Sequence, residues 1–144
     1  MLRFVRATLN PAGYHGPREG YRPPLPFFEG WYFKLVDGRE ATRLAVIPGV
    51  FHAEDSAESH AFVQVLDGAT GQATYHRYAI EDFQASRTGF DIRVGPNRFS
   101  ASGLTLDIAD GQQTLRGELR FRDPAPAPWP VTLLSPGIMG WYAW

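Results

Sequence analysis

The chain has 144 residues, the length of one domain, and no cysteine, which excludes disulfide frameworks, thiol catalysis and cysteine-ligated zinc. Fourteen lysines and arginines against fifteen aspartates and glutamates give a net charge of -1, so no overall positive field favours nucleic acid. Fifteen glycines and twelve prolines disfavour long helices, while an aromatic content of 14% suits strands around an aromatic-lined interior.

The two ends of the chain carry no targeting or membrane-spanning signal. Residues 1–9 contain two arginines but no continuous apolar stretch, so no secretory signal is predicted and a cytosolic location is the default. Residues 124–144 are uncharged and long enough for a membrane span, but alternate prolines from Pro124 to Pro130 predict an extended connector instead. We expect the tryptophans and tyrosine near Trp144 to bury against another surface, in a polypeptide that continues further.

The middle of the chain has the period-two pattern of half-buried strands. Asp-Gly pairs at 37–38 and 67–68 bound candidate strands at 31–36, 43–47 and 61–66. The segment 52–60 reads equally well as a short helix or a polar loop. Later, apolar residues alternate with polar ones in three runs: Phe90, Ile92 and Val94; Leu104, Leu106 and Ile108; Leu115, Leu119 and Phe121.

These strands predict an all-β fold. Their short links are typical of antiparallel hairpins, and strands every 8 to 12 residues without a helical crossover indicate a meander. The architectures that remain are an up-and-down β-barrel and a sandwich. Because several strands are short, an incomplete barrel stays open as an interpretation. We expect one β domain over residues 1–144.

One carboxylate, Glu29, lies among five aromatic residues in the segment 26–33 (PFFEGWYF). If Glu29 is buried, its charged form loses hydration, so it would keep its proton near neutrality and act as an acid. The competing interpretation is structural: Glu29 accepts hydrogen bonds at a strand entrance or from an arginine, while Gly30 permits a bend.

Four histidines offer further proton carriers or ligands. His15 lies in a turn-rich segment where it would face a cavity mouth, and His76 would look inward from a regular strand. A metal site is one interpretation of the loop from His52 to His60, which also holds three carboxylates, but the spacing matches no metal motif and we favour a solvated loop. Without GxSxG, GxGxxG or GxxxxGK[ST] patterns, we expect no serine hydrolase, no cofactor and no metal.

Several motifs, taken together, resemble the tocopherol cyclase family. Asn10-Pro11 through Gly13-Tyr14-His15 and residues 27–34 (FFEGWYFK) are similar to its N-terminal signature. Further similarities follow in the order of the bacterial members, at 47–49 (IPG), 59–65 (SHAFVQV), 97–100 (NRFS) and 135–142 (SPGIMGWY). The similarity spans nearly the whole chain and corresponds to about the N-terminal half of the family's length.

The resemblance implies a lipocalin-like (calycin-like) β-barrel that holds a prenylated aromatic quinol and closes a chromanol ring. Ring closure requires a proton on a trisubstituted alkene, capture of the tertiary cation by a phenolic oxygen, and a dry cavity. From residue chemistry, Glu29 is the preferred acid, with His15 or His76 as alternative acid or base. Aromatic faces stabilise a cation by about 0.5 to 2 kcal/mol each. The candidate substrate-binding rings are those of Tyr14, Trp31, Phe33, Phe62 and Trp141.

Three hypotheses remain open at this point. The first is a cyclase of the isomerase type, and the second is a non-catalytic lipocalin-like carrier of isoprenoids or lipids. The third is a structural fragment whose exposed edge self-associates or pairs with a missing C-terminal half. All three expect a cytosolic protein without a transmembrane segment, and peripheral membrane contact stays open because the ligand is hydrophobic.

Overall fold

The computed structural model describes residues 13–111 and 114–122, which form ten strands in two antiparallel sheets. The prediction of an all-β antiparallel fold is therefore confirmed. The strands are β1 (Phe27–Gly30), β2 (Phe33–Val36), β3 (Arg43–His52), β4 (His60–Asp67), β5 (Ala73–Tyr78), β6 (Phe83–Ala85), β7 (Asp91–Val94), β8 (Asn97–Ser100), β9 (Gly103–Ala109) and β10 (Thr114–Arg120).

The first sheet has the order β1-β3-β4-β5, and β2 pairs with the other half of β3 on the same side as β1. The edge is thus broken at Trp31 and Tyr32, between β1 and β2. At this break the Trp31 amide donates to the carbonyl oxygen of Pro48 over 3.0 Å. In an antiparallel strand the N–H and C=O of one residue point to the same side, so the missing amide of Pro48 faces the break. The expected strand at 31–36 therefore begins at Phe33 instead.

The second sheet is a meander in the order β10-β9-β8-β7-β6. Ile92, Val94 and Ile108 are buried, as the period-two alternation predicts. The opposite face of this sheet is charged and internally paired: Arg98 contacts Asp91 at 3.0 Å and Arg116 contacts Asp107 at 2.6 Å. This is the usual division of an antiparallel sheet into an apolar face and a solvated one.

The core lies between the two sheets. Its first-sheet members are Val46, Ala61, Val63 and Val65, and its second-sheet members are Ile92, Val94, Phe99, Leu104, Leu106 and Ile108. Among the described strands, neither sheet closes into a barrel. No ladder joins β5 to β6, because a 3₁₀ turn at Ile80–Asp82 takes the chain from one sheet to the other and β6 has only three residues. The lipocalin-like barrel expected from the sequence is thus observed only as two facing sheets.

The acidic loop between β3 and β4 is a loop with one 3₁₀ turn at Ser56–Glu58. The turn is fixed by the Asp55 carboxylate, which accepts a hydrogen bond from the Ala57 amide at 2.9 Å.

The described residues form no helix that is long and apolar enough to cross a bilayer.

Candidate functional site

Residues 13–17, here called the N-terminal strap, connect the two sheets at one end. The Tyr14 amide donates to the carbonyl oxygen of Ser86, just after β6, over 3.0 Å. The Arg87 guanidinium donates to the carbonyl oxygens of Tyr14 at 3.4 Å and Gly16 at 3.3 Å, and also to that of Pro17. The planar fork of arginine suits this task because it presents several donors at once. Arg87 therefore anchors the strap to the second sheet.

On the first sheet, the strap is held by Glu29. The His15 main-chain amide donates to both carboxylate oxygens, at 2.9 and 3.2 Å, and the ring nitrogen Nδ1 of His15 lies 2.9 Å from Oε1. The side chains are 24% exposed for His15 and 15% for Glu29, so the pair sits at the margin of the interior. Both proposed interpretations of Glu29 meet here, because it is largely buried and also accepts structural hydrogen bonds.

The His15 ring has one nitrogen to spare. Among the described residues, Nε2 of His15 has no hydrogen-bond partner, while Nδ1 is bound to Glu29. A carboxylate on one nitrogen fixes the tautomer and the ring orientation, and leaves the other nitrogen to exchange a proton with a ligand. The bonds to Glu29 thus fix the position of His15 and leave its Nε2 free of protein partners among the described residues.

A second pair, Tyr14 and His52, lies on the same inner face. The Tyr14 hydroxyl is 2.9 Å from Nε2 of His52. Burial, and next the nearby Glu29 carboxylate, raise the pKa of Tyr14 to about 12, although Arg87 opposes this. Burial also lowers the pKa of His52. Both the phenol and the imidazole are therefore neutral near pH 7, and they share one hydrogen bond.

Gly16 is required for the position of the Tyr14 ring. The ring folds back over Gly16 so closely that a β-carbon there would lie 2.0 Å from the hydroxyl oxygen. No side chain fits in that space, which explains on steric grounds why residue 16 is a glycine.

Aromatic rings cover the inner side of the strap. The Tyr14 ring lies 5.2 Å from that of Phe83 and 6.4 Å from that of Trp31, and the Arg87 guanidinium lies 4.9 Å from the Tyr14 ring centre. Phe33 continues this cluster toward the middle of the interior, at 5.5 Å from Phe99. Tyr14, Trp31 and Phe33 are thus brought onto the same side of the first sheet as Glu29.

His76 is buried far from this cluster. It lies on the inner face of β5, which is separated from Glu29 on β1 by three strand spacings, about 14 Å. Its Nδ1 contacts the Asp110 carboxylate at 2.5 Å, and its Nε2 contacts the Thr74 hydroxyl at 2.9 Å. The structure therefore does not bring His76 together with Glu29 and His15.

Of the two remaining sequence candidates, Phe62 lies apart from Glu29 and Trp141 is not among the described residues. Phe62 points to the opposite face of the first sheet, where its ring stacks on Phe28 at 5.7 Å and on Tyr75 at 5.0 Å. Within the described part of the chain, no group of three or more histidines, aspartates and glutamates is arranged to hold a metal ion.

Three residues of the site carry no role in the sequence-based prediction: Gly16, His52 and Arg87. His52 was considered only as part of the acidic loop, yet it ends β3 and faces Tyr14. Arg87 contacts a segment some seventy positions earlier, as its bond to Pro17 illustrates. Only Gly16 carried a local signal, because it directly follows Tyr14-His15 in a turn-rich segment.

Comparison of the chain with family models, with curated proteins and with solved structures finds no match.

Proposed function

We propose that the protein binds a prenylated hydroquinone between its two sheets and closes a chromanol ring by acid-catalysed addition of the phenol to the alkene. The observation that carries the proposal is the His15–Glu29 pair, in which Nδ1 of His15 is held by the carboxylate, next in sequence to Tyr14, whose ring packs against Trp31 and Phe83. The proposal places the ligand between two facing sheets and does not require a closed barrel.

The proton would move through His15. Protonated His15 would donate from Nε2 to the alkene, while Glu29, bound to Nδ1 and to the main-chain amide, holds the ring in place. The tertiary cation is then captured by the substrate's phenolic oxygen, which loses its proton to the same imidazole. Substrate and product are isomers, so the proton balance is zero and no cofactor takes part. The faces of Trp31 and Phe83 would stabilise the cation by about 0.5 to 2 kcal/mol each.

A carrier without catalysis is the second candidate, and one observation favours it. The polar groups of the site are largely satisfied by one another, with Tyr14 bound to His52 and Glu29 bound to His15. A wall whose polar atoms are paired internally presents mostly apolar surface to a ligand, as expected for a container.

The test is incubation of the protein with a prenylated hydroquinone, with chromanol measured by mass spectrometry and binding by quenching of tryptophan fluorescence. A cyclase forms chromanol, and His15→Gln lowers its rate by a factor of about 100 or more while binding persists. Glu29→Gln keeps the size of the side chain but removes its charge, and is expected to lower the rate less than His15→Gln does.

The matched control is His60→Gln, because His60 lies on the opposite face of the first sheet and contacts Tyr75 there. It should leave the rate unchanged. Binding without chromanol in the unaltered protein favours the carrier. Absence of both binding and turnover rejects both candidates.

A further inference from the structure

The outer faces of the two sheets differ in composition. The outer face of the first sheet consists of the strand positions that alternate with core residues, such as Phe28, Ala45 and Phe62. Its strand positions carry three cations, Lys34, Arg43 and Arg77, and no carboxylate.

The outer face of the second sheet, in contrast, pairs its charges internally, as in Arg98–Asp91 and Arg116–Asp107. The outer face of the second sheet thus carries charges of both signs that pair with each other. The outer face of the first sheet carries cations that lie between apolar side chains.

Large apolar side chains are exposed on the first sheet's outer face. Phe28 is 62% exposed and Val36 is 46% exposed, and Tyr32 beside them is 64% exposed. Phe62 is buried in the middle of this face because Gly49 lies beneath it, where a β-carbon would come within 2.3 Å of its ring. Phe28 and Val36 lie at opposite ends of this face, since they pair with Phe51 and Arg43 of β3, and Tyr32 lies between them. Several large exposed apolar side chains on one sheet face are a feature of interaction surfaces.

A groove at one end of this face combines both properties. It has a volume of about 230 Å³, and Tyr32, Val36 and Leu66 line it together with the cations Lys34 and Arg43. Asp67 also borders the groove; its carboxylate accepts hydrogen bonds from the amides of Ala69 and Thr70 in the turn after β4, which lower its pKa and keep it negatively charged near Arg43. At the other end, Arg77 lies 3.6 Å from Glu58, and both side chains are exposed.

We propose that the outer face of the first sheet docks on an anionic phospholipid surface. Exposed aromatic and aliphatic side chains enter the boundary between headgroups and acyl chains, and Lys34 and Arg43 contact the phosphates. Charge complementarity decides the occupant, since Lys34, Arg43 and Arg77 outnumber the nearby carboxylates of Asp67 and Glu58, and the remaining positive charge attracts a negative surface and repels a second copy of this face. The proposal is independent of the proposed function, because docking needs no turnover.

The docked face lies directly behind the candidate site. Phe28 and Glu29 are neighbours on β1, an edge strand, and point to opposite faces of the sheet. A hydrophobic ligand that leaves the lipid would therefore have to pass only the thickness of one edge strand to reach the strap.

The experiment is co-sedimentation of the whole chain with vesicles of phosphatidylcholine, with and without phosphatidylglycerol. We expect binding to the vesicles that contain phosphatidylglycerol and a decline as sodium chloride increases. Lys34→Gln with Arg43→Gln should weaken this binding about 30-fold, since each cation near an anionic surface contributes a factor of about five. Phe28→Ser should weaken it as well, through the lost apolar contact.

The matched control is Arg93→Gln with Arg116→Gln, which removes two cations from the second sheet's outer face. Unchanged binding in this control supports the proposal; an equal loss in both double variants means that net charge, not this face, attracts the protein. Failure to bind phosphatidylglycerol vesicles overturns the proposal. So does a dimer in sedimentation velocity that Phe28→Ser dissociates. Circular dichroism of each variant confirms that it is folded.

Discussion

The imidazole of His76 on β5 lies 2.5 Å from the carboxylate of Asp110 after β9, and this contact joins the edge of the first sheet to the second. The ring is 1% exposed, and its other nitrogen contacts the Thr74 hydroxyl. Because both nitrogens have partners, the ring can be buried without an unsatisfied polar atom. His76 is thus a structural connection between the sheets.

Removing this connection should destabilise the fold. We expect His76→Ala to lower the free energy of unfolding by about 2 to 4 kcal/mol, because it leaves a cavity and removes a partner of Asp110. Urea unfolding followed by circular dichroism measures this. His60→Ala, on the more exposed outer face, should cost less than about 1 kcal/mol. Equal losses in the two variants would contradict the role given to His76.

Gly16→Ala should displace the Tyr14 ring. The new methyl group would lie 2.0 Å from the tyrosine hydroxyl, so either the ring or the strap must move and the bond to His52 is lost. We expect a loss of about 1 to 3 kcal/mol in the free energy of unfolding. Gly38→Ala is the matched control, because a β-carbon there has no neighbour within 4 Å. A neutral Gly16→Ala would show that the ring does not occupy this position.

Tyr14 should lose its proton at a higher pH than an exposed tyrosine does. Burial, with a smaller contribution from Glu29, raises the pKa of Tyr14 from 10.0 to about 12. Since the folded state holds this proton more tightly, the stability it contributes is complete below pH 10 and is lost as the pH rises through about 12. The tyrosinate absorbance of the protein minus that of Tyr14→Phe isolates this group. A midpoint near 10 in the difference curve would disagree with a buried phenol.

His52 should make the protein less stable in acid. Burial lowers its pKa below the ordinary 6.5, so the unfolded chain binds a proton that the folded protein resists. The stability contribution is therefore present above pH 6.5 and is lost as the pH falls from there through the lowered pKa. His52→Gln retains an acceptor for Tyr14 but cannot titrate, and should flatten this part of the pH profile. Identical profiles of unfolding free energy for the two proteins would refute the assignment.

Three strands of the second sheet, β7, β9 and β10, could be predicted from local sequence, whereas β6, β8 and part of the first sheet could not. Strict alternation along residues 90–94 and 104–108 identifies the buried side chains, because the side-chain period of a strand is two. In β4 the run around Phe62 is apolar on both sides, so the sequence does not assign its faces. Pro48 also suggests a strand end, yet β3 continues past it because the missing amide faces the break between β1 and β2.

The candidate site was predicted in part. Glu29 and His15 were both singled out from their chemistry, but their pairing depends on how the strap crosses the sheet. His52 and Arg87 meet Tyr14 only after the two sheets pack together, and no local pattern encodes that encounter.

The strap's attachment to both sheets implies an order of events during folding. Residue 14 contacts Ser86, just after β6 of the second sheet, and His52 at the end of β3 in the first, so each contact closes a long loop and is expected to form after the sheets. Hairpins of the meander form from near neighbours and come earlier. The contact between His15 and Glu29 would then be among the last to form in the described part of the chain, once Arg87 has bound the strap.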